Sequence, residues 1–163
     1  MRESGRWKAM ASARARLATL GLTGAISLVA GFEALRLHTY LDPVGIPTTC
    51  FGHTGPGVKL GQWRSIEECE GLLVDDLLIA YEAVKRCIRA PIGPNERIAY
   101  TSFVYNVGGG AFCNSTLVKL RNSGNKQAAC DQLPRWKYSK GIEWPGLVKR
   151  RAIERDICLK PDQ

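Results

Sequence analysis

Four helix breakers within ten positions, Pro43, Gly45, Pro47 and Gly52, restrict this chain more than any other feature. A proline inside a helix removes a hydrogen bond and clashes with the preceding turn, and each glycine adds a penalty of its own. No helix can run from the apolar residues before Glu33 into the amphipathic run that begins near Ile66. Between the breakers, Thr48, Thr49, Cys50 and Phe51 have the β-branched and aromatic character of a short strand. The spacing predicts a helix ending near Glu33 and then a small β-hairpin, with Glu33 and Asp42 at the junction. Two carboxylates flanking the scissile bond are what glycoside hydrolysis commonly requires, one as acid and one as base or nucleophile. Carboxylates nine positions apart are also commonplace on solvated surfaces, so spacing alone does not establish that chemistry.

The wider pattern is more specific. Glu33, eight residues, Asp42, five residues and Thr48 reproduce the spacing of the catalytic triad of the phage T4-type lysozymes (glycoside hydrolase family 24), which this chain resembles. Gly52-His53 matches the Gly-His that follows the threonine in that family. SFVYNVGGGAF at residues 102–112, ACDQLPRW at 129–136 and GLVKRRAIERDIC at 146–158 are similar to its later motifs. Within the family the likeness is nearest to signal-anchor-release endolysins of the lambdoid phage 21 type, and it covers the chain from about Leu17 to Cys158.

The resemblance implies an α+β, lysozyme-like fold: a small β-hairpin lobe, a mainly helical lobe and a cleft between them, preceded by a signal-anchor-release helix. Residues 1–32 would form the basic N-terminus and release segment, and 33–163 the catalytic domain. It implies hydrolysis of the β-1,4 bond between N-acetylmuramic acid and N-acetylglucosamine of peptidoglycan, with inversion. Glu33 would be the general acid, Asp42 the base that activates a water, and the Thr48 hydroxyl would help hold that water. Asn106 stands where the family lines its sugar cleft, although a core or capping role is nearly as common. No cofactor and no metal is implied, and a monomer is expected. The alternative is a wall-binding or membrane-tethered module that kept the fold and lost activity.

The net charge of +8 favours polyanionic partners, so nucleic acid has to be considered. Half of that excess lies in residues 1–16, ahead of an apolar segment, where it reads as a topology signal. No Lys/Arg run with interleaved aromatics appears elsewhere, and nucleic-acid binding is not expected. Six cysteines, at 50, 69, 87, 113, 130 and 158, include no C-x-x-C, and only His38 and His53 are present to join them as ligands. Three disulfides in an oxidising compartment account for them better than zinc or free thiols. The resemblance implies the pairs Cys50–Cys69, Cys87–Cys113 and Cys130–Cys158.

Residues 1–16 read as disordered or cytoplasm-facing, and Leu17–Phe32 carries no charge over 16 residues. As one helix that segment spans about 24 Å, short of the roughly 30 Å hydrocarbon core. Gly21, Gly24, Gly31, Thr19, Thr23 and Ser27 make it weakly apolar. Cleavage after Ala30 would strip Glu33 of its helix, so a retained segment that enters the inner membrane and later leaves fits best. The expected location is the inner membrane facing the periplasm, then the periplasm after release.

Farther on, Ser65-Ile-Glu-Glu68 is a capping box ahead of a helix over about 66–86, with Asp75 and Asp76 in its middle. His53 is expected to pack against that helix and pair with Asp76, a structural role for both. Gly93-Pro94 opens a core helix with Glu96 at its third position, and Gly108–Gly110 ends it. Asn114/Ser115 and Asn125 read as N-caps of two short helices. Trp136, Tyr138 and Trp144 bracket a loop, with core packing favoured over sugar stacking. The last helix spans 146–158, with Arg150 and Arg151 expected in surface ion pairs to Glu154 or its neighbours.

Overall fold

A computed structural model describes the protein over residues 3–162. The chain divides into two compact units, Met1–Leu78 and Ile79–Gln163.

The first unit begins with α1 (Glu3–Thr19) and α2 (Thr23–Phe32). Residues 1 and 2 lie outside the described residues; from Glu3 onward the expectation of disorder is overturned. ESGRWKAMASARARLAT holds five alanines and three arginines, which favour helix, with one glycine and no proline. Gly21, at φ 69°, ends α1 in the left-handed region. The amide of Leu22 donates to the Leu17 carbonyl at 2.8 Å, and that of Gly21 to Ala18 at 3.0 Å, the paired bonds of a Schellman cap. Leu17 and Leu22 are fully buried, supplying the apolar contact that accompanies such a cap. The uncharged segment 17–32 is therefore split by a 109° bend rather than continuous. Among the described residues, no single helix is long and apolar enough to cross a membrane, but Ala11–Thr19 and Thr23–Phe32 pass that test as a bent pair.

On α2 the fully buried residues are Ala25 and Val29, one turn apart, with Leu22 before them on the same side. Thr23, Gly24, Ser27 and Gly31 face out. Four of the six residues that weaken the segment as a membrane span thus give this helix a solvated face.

Beyond α2 an antiparallel sheet of three strands, β1 (Arg36–Leu41), β2 (Pro47–Cys50) and β3 (His53–Thr54), replaces the expected single hairpin. The short β3 has no alternating pattern of its own; it exists because Gly52, at φ 91°, folds His53 and Thr54 back onto β2. The segment 62–64 lies along the other edge of β1, through Thr39 N to Gln62 O at 3.0 Å and Arg64 N to Leu37 O at 2.9 Å.

Helix α3 (Ile66–Cys87) starts in the first unit and opens the second. Its capping box is fully formed: Glu68 N donates to Ser65 Oγ at 3.1 Å, and Ser65 N to Glu68 Oε2 at 2.9 Å. Next come α4 (Pro94–Val107), α5 (Gly109–Cys113), α6 (Thr116–Asn122) and α7 (Lys126–Cys130). A short 3-10 turn (Leu133–Arg135), the hairpin β4 (Tyr138–Ser139) and β5 (Ile142–Glu143), and α8 (Pro145–Leu159) complete the unit. Ser115 and Asn125 cap α6 and α7 by accepting from the amides of Val118 and Ala128. The triple glycine does more than stop α4: Gly108, at φ 84°, turns the chain directly into α5. Tyr100, Phe103 and Phe112 form the fully buried aromatic core of this unit, where α4 packs against α8.

Three disulfides staple the units internally, Cys50–Cys69 in the first and Cys87–Cys113 and Cys130–Cys158 in the second. Each loop closed in this way contributes on the order of 3–4 kcal/mol by restricting the unfolded chain.

Candidate active site

Glu33, Asp42 and Thr48 all belong to the first unit. Glu33 is the C-cap of α2, its amide donating to the Val29 carbonyl at 3.0 Å while its backbone (φ −96°, ψ 135°) has already left the helix. The cap fixes where the helix stops, and the half-buried side chain leaves from that corner. Asp42 follows the last residue of β1 and organises the reversal into β2. Its Oδ1 accepts from the amides of Val44 at 2.9 Å and Ile46 at 2.8 Å, and its own amide donates to the Ile46 carbonyl at 3.0 Å. Gly45, at φ 83°, takes the left-handed position that this turn requires. A carboxylate holding two amides with one oxygen has its orientation set by the loop.

Thr48 stands opposite Tyr40 on β2 and is 4% exposed. Its hydroxyl donates to the Ile46 carbonyl at 3.0 Å, so its lone pairs are oriented to accept. The residue after next, Cys50, sits at φ 58° and is joined to Cys69 at the start of α3. The strand carrying Thr48 is thus pinned at one end by the Asp42 turn and at the other by a disulfide.

His53 Nδ1 lies 2.8 Å from Asp76 Oδ2, joining β3 to α3 beneath this turn-rich segment. Both side chains are about a fifth exposed, and the pair holds the sheet against the helix. Beside it, loss of water raises the Asp75 carboxyl, with the charge of Asp76 adding to the effect and His53 and Arg16 opposing it.

Asn106 belongs to the second unit, exposed at the last turn of α4. Its Oδ1 accepts from Arg151 Nη2, a contact with no sequence signal. Arg151 also donates to Glu154 and, through Nε, to the Trp136 carbonyl at 3.1 Å, and stacks its guanidinium 4.7 Å from the Phe103 ring centre. The expectation of surface ion pairs at Arg150 and Arg151 is overturned. Arg150 is 4% exposed, Arg151 and Glu154 are fully buried, and Ser102 Oγ adds a 2.6 Å bond to Glu154. The i, i+3 and i, i+4 spacing of opposite charges looks the same on either face of a helix, and only the packing of α4 against α8 decides which face is inside.

A second buried pair, Glu96 with Arg121, likewise carries no local sequence signal. Arg121 Nε donates to Glu96 Oε1 at 2.5 Å, and Tyr100 OH lies 3.3 Å from the same oxygen. Glu96 serves both as helix-start acid and as core ion-pair partner. Of the three bracketing aromatics, Trp136 packs edge-on against Phe103 at 5.2 Å, whereas Tyr138 and Trp144 are more than half exposed. Among the described residues no cluster of three or more His, Cys, Asp or Glu could hold a metal ion.

Comparison with known proteins agrees with this architecture. The phage lysozyme family profile matches residues 30–154, a span that includes Glu33, Asp42 and Thr48. The chain is 44% identical over 129 residues to a SAR-endolysin of Bacteriophage PS119, covering 79% of this chain and 77% of that protein. It is 43% identical over 129 residues to the SAR-endolysin of Enterobacteria phage P21, covering 79% and 78%. Among solved structures, a variant of P22 lysozyme superposes with a TM-score of 0.74 at 33% identity, covering 85% of this chain and 97% of that one. On a match of this extent, this chain belongs to the phage lysozyme family.

Proposed function

We propose that Glu33, Asp42 and Thr48 carry the reaction of this phage endolysin, cleaving the β-1,4 bond between N-acetylmuramic acid and N-acetylglucosamine in peptidoglycan. The chain is a lysozyme, a glycoside hydrolase. The supporting observation is the local scaffold of the three residues: a helix cap, a carboxylate-organised turn and a strand pinned by a disulfide.

Glu33 protonates the leaving glycosidic oxygen. Asp42 uses Oδ2 to take a proton from water as that water attacks the anomeric carbon from the other face of the sugar. Thr48 accepts a hydrogen bond from the water, keeping a lone pair directed at carbon. Protons balance: one passes from Glu33 to the departing alcohol, one from water to Asp42, and exchange with solvent restores both. The product sugar has the inverted configuration.

The N-terminal helices serve delivery. Straightened at Gly21, residues 11–32 would form one helix of about 33 Å, enough to span a bilayer. Bent, the same residues put Leu17, Leu22, Ala25 and Val29 into the protein core and set Glu33 at the end of α2. The inserted form holds the helix that should place Glu33, and is inactive; leaving the inner membrane into the periplasm completes the site.

Digestion of purified peptidoglycan tests the chemistry. Wild type should release fragments with new N-acetylmuramic acid reducing ends of inverted anomeric configuration, and Glu33→Gln or Asp42→Asn should lose this by at least about 1,000-fold. Retention of the anomeric configuration, or N-acetylglucosamine at the new ends, would contradict the reading.

A further inference from the structure

Residues 138–146 are exposed without interruption, a run that takes in both strands of the β4–β5 hairpin and the start of α8. A two-stranded hairpin with neither face covered is marginal on its own. This one nevertheless carries Tyr138, Ile142 and Trp144, which are 56%, 61% and 52% exposed. Strand pairing sets Tyr138 opposite Glu143, and Ser139 opposite Ile142, so its two faces differ.

Two positions in it oppose their local preferences. Lys140 has φ 50° and Gly141 φ 76°, a turn for which Asn-Gly or Gly-Gly is favoured and in which lysine is strained. Trp144 occupies the N-cap of α8 without a side-chain bond, where Ser, Thr, Asp or Asn would stabilise the helix. Residues that break local rules on a solvated projection point to a partner.

The charge identifies its chemistry. Arg135, Lys137, Lys140 and Lys149 against Glu143 leave residues 135–149 with a net charge of +3. Lys137 Nζ is 2.6 Å from Glu143 Oε2 and 5.4 Å from the Tyr138 ring centre, a clamp that stiffens the ring of Tyr138 and leaves Lys140 at the tip. A lipid surface would have to accept the Glu143 carboxylate on the Tyr138 face, an unfavourable burial. A hydrated polymer with apolar sugar faces and anionic peptide branches matches the exposed rings of Tyr138 and Trp144 and the charge of Lys140.

We propose that the β4–β5 hairpin is an accessory substrate-holding site for peptide-bearing glycan. Tyr138 and Trp144 cover sugar faces, and Lys140 takes a carboxylate of the stem peptide. This rests on the assignment of peptidoglycan as substrate, but the test reads binding rather than turnover. Full-length Glu33→Gln protein is sedimented with purified Gram-negative sacculi, with and without further substitutions in the hairpin. Adding Trp144→Ala or Tyr138→Ala should weaken retention about tenfold. Lys140→Gly suits the turn better, so it should keep or raise Tm while weakening retention by up to about fivefold in low salt. A purely structural lysine would not move the two readouts in opposite directions. Unchanged retention in all three variants overturns the proposal, as does hairpin-dependent binding to anionic phosphatidylglycerol vesicles with none to sacculi. If sacculi bind as expected while wild-type enzyme fails to cleave them, the catalytic assignment fails and the hairpin site stands.

Discussion

Glu154→Leu would remove a carboxylate that holds both inward arginines of α8. In the native protein its Oε1 accepts from Ser102 Oγ at 2.6 Å and Arg150 Nε at 3.1 Å, and its Oε2 accepts from Arg151. Leucine nearly matches the volume, so a cavity contributes little. The loss is electrostatic: two guanidinium groups at 4% and 0% exposure keep their charge in a dry interior without the carboxylate. Breaking a buried pair from one side costs about 3–5 kcal/mol. For a chain of this size that corresponds to a fall in Tm of about 6–20 °C. Glu154→Gln keeps an acceptor for Ser102 and one arginine and should cost about 1.5–3 kcal/mol. Urea unfolding followed by far-UV circular dichroism measures both, with the disulfides kept oxidised. If Glu154→Leu lies within about 1 kcal/mol of wild type, the buried cluster does not hold α8 to α4 and the argument fails.

Other consequences follow from particular groups. Burial, followed by the charge of Glu96, pushes the Tyr100 hydroxyl well above the usual tyrosine range. Its folded state is the stronger proton holder, so this contribution is intact below about pH 10 and fades as pH climbs further; absorbance titration should show Tyr100 ionising only with unfolding. Hydrogen bonds from Gln127 and then Arg155 lower the Asp131 carboxyl, so its contribution holds above the unfolded value and is lost on acidification. Arg155→Ala should flatten the acid side of the stability curve between about pH 5 and 2. Because Cys50 has φ 58°, Cys50→Gly with Cys69→Ala should be more stable than Cys50→Ala with Cys69→Ala by about 1 kcal/mol, measured by urea unfolding; the reverse order would remove backbone strain from the account. Gly21→Leu opposes the left-handed bend and favours a continuous apolar helix, so spheroplast fractionation should find more enzyme in the membrane and lysis should be delayed. Membrane retention with undelayed lysis would separate release from control.

The sequence was most readable where one side chain does a local job. Ser65 and Glu68 announce α3, Gly93-Pro94 announces α4, and Ser115 and Asn125 cap the helices that follow. The structure also joins the cysteine pairs that the family resemblance implies, and brings His53 to Asp76. Reading failed where tertiary packing gives a residue its meaning. Nothing local distinguishes inward Arg151 from a solvated arginine, and Glu96 and Arg121 meet across 25 residues. The β4–β5 hairpin carries little sequence signal because its turn is Lys140-Gly141 rather than Asn-Gly, and its strands are two residues each. At the candidate site, Pro43 and Gly45 made the turn legible, but not that the Asp42 carboxylate holds that turn together. Asp42→Ala should therefore disturb the loop as well as remove the proposed base, whereas Asp42→Asn keeps an acceptor for both amides.

Clearing of chloroform-treated Gram-negative cells by purified wild type, Glu33→Gln and Asp42→Asn decides whether these two carboxylates carry the hydrolysis, with circular dichroism confirming that all three are folded. Rapid loss of turbidity is expected with wild type and none above background with either variant. Equal clearing by wild type and Glu33→Gln would remove Glu33 from the chemistry, and no clearing by folded wild type would contradict the enzyme itself.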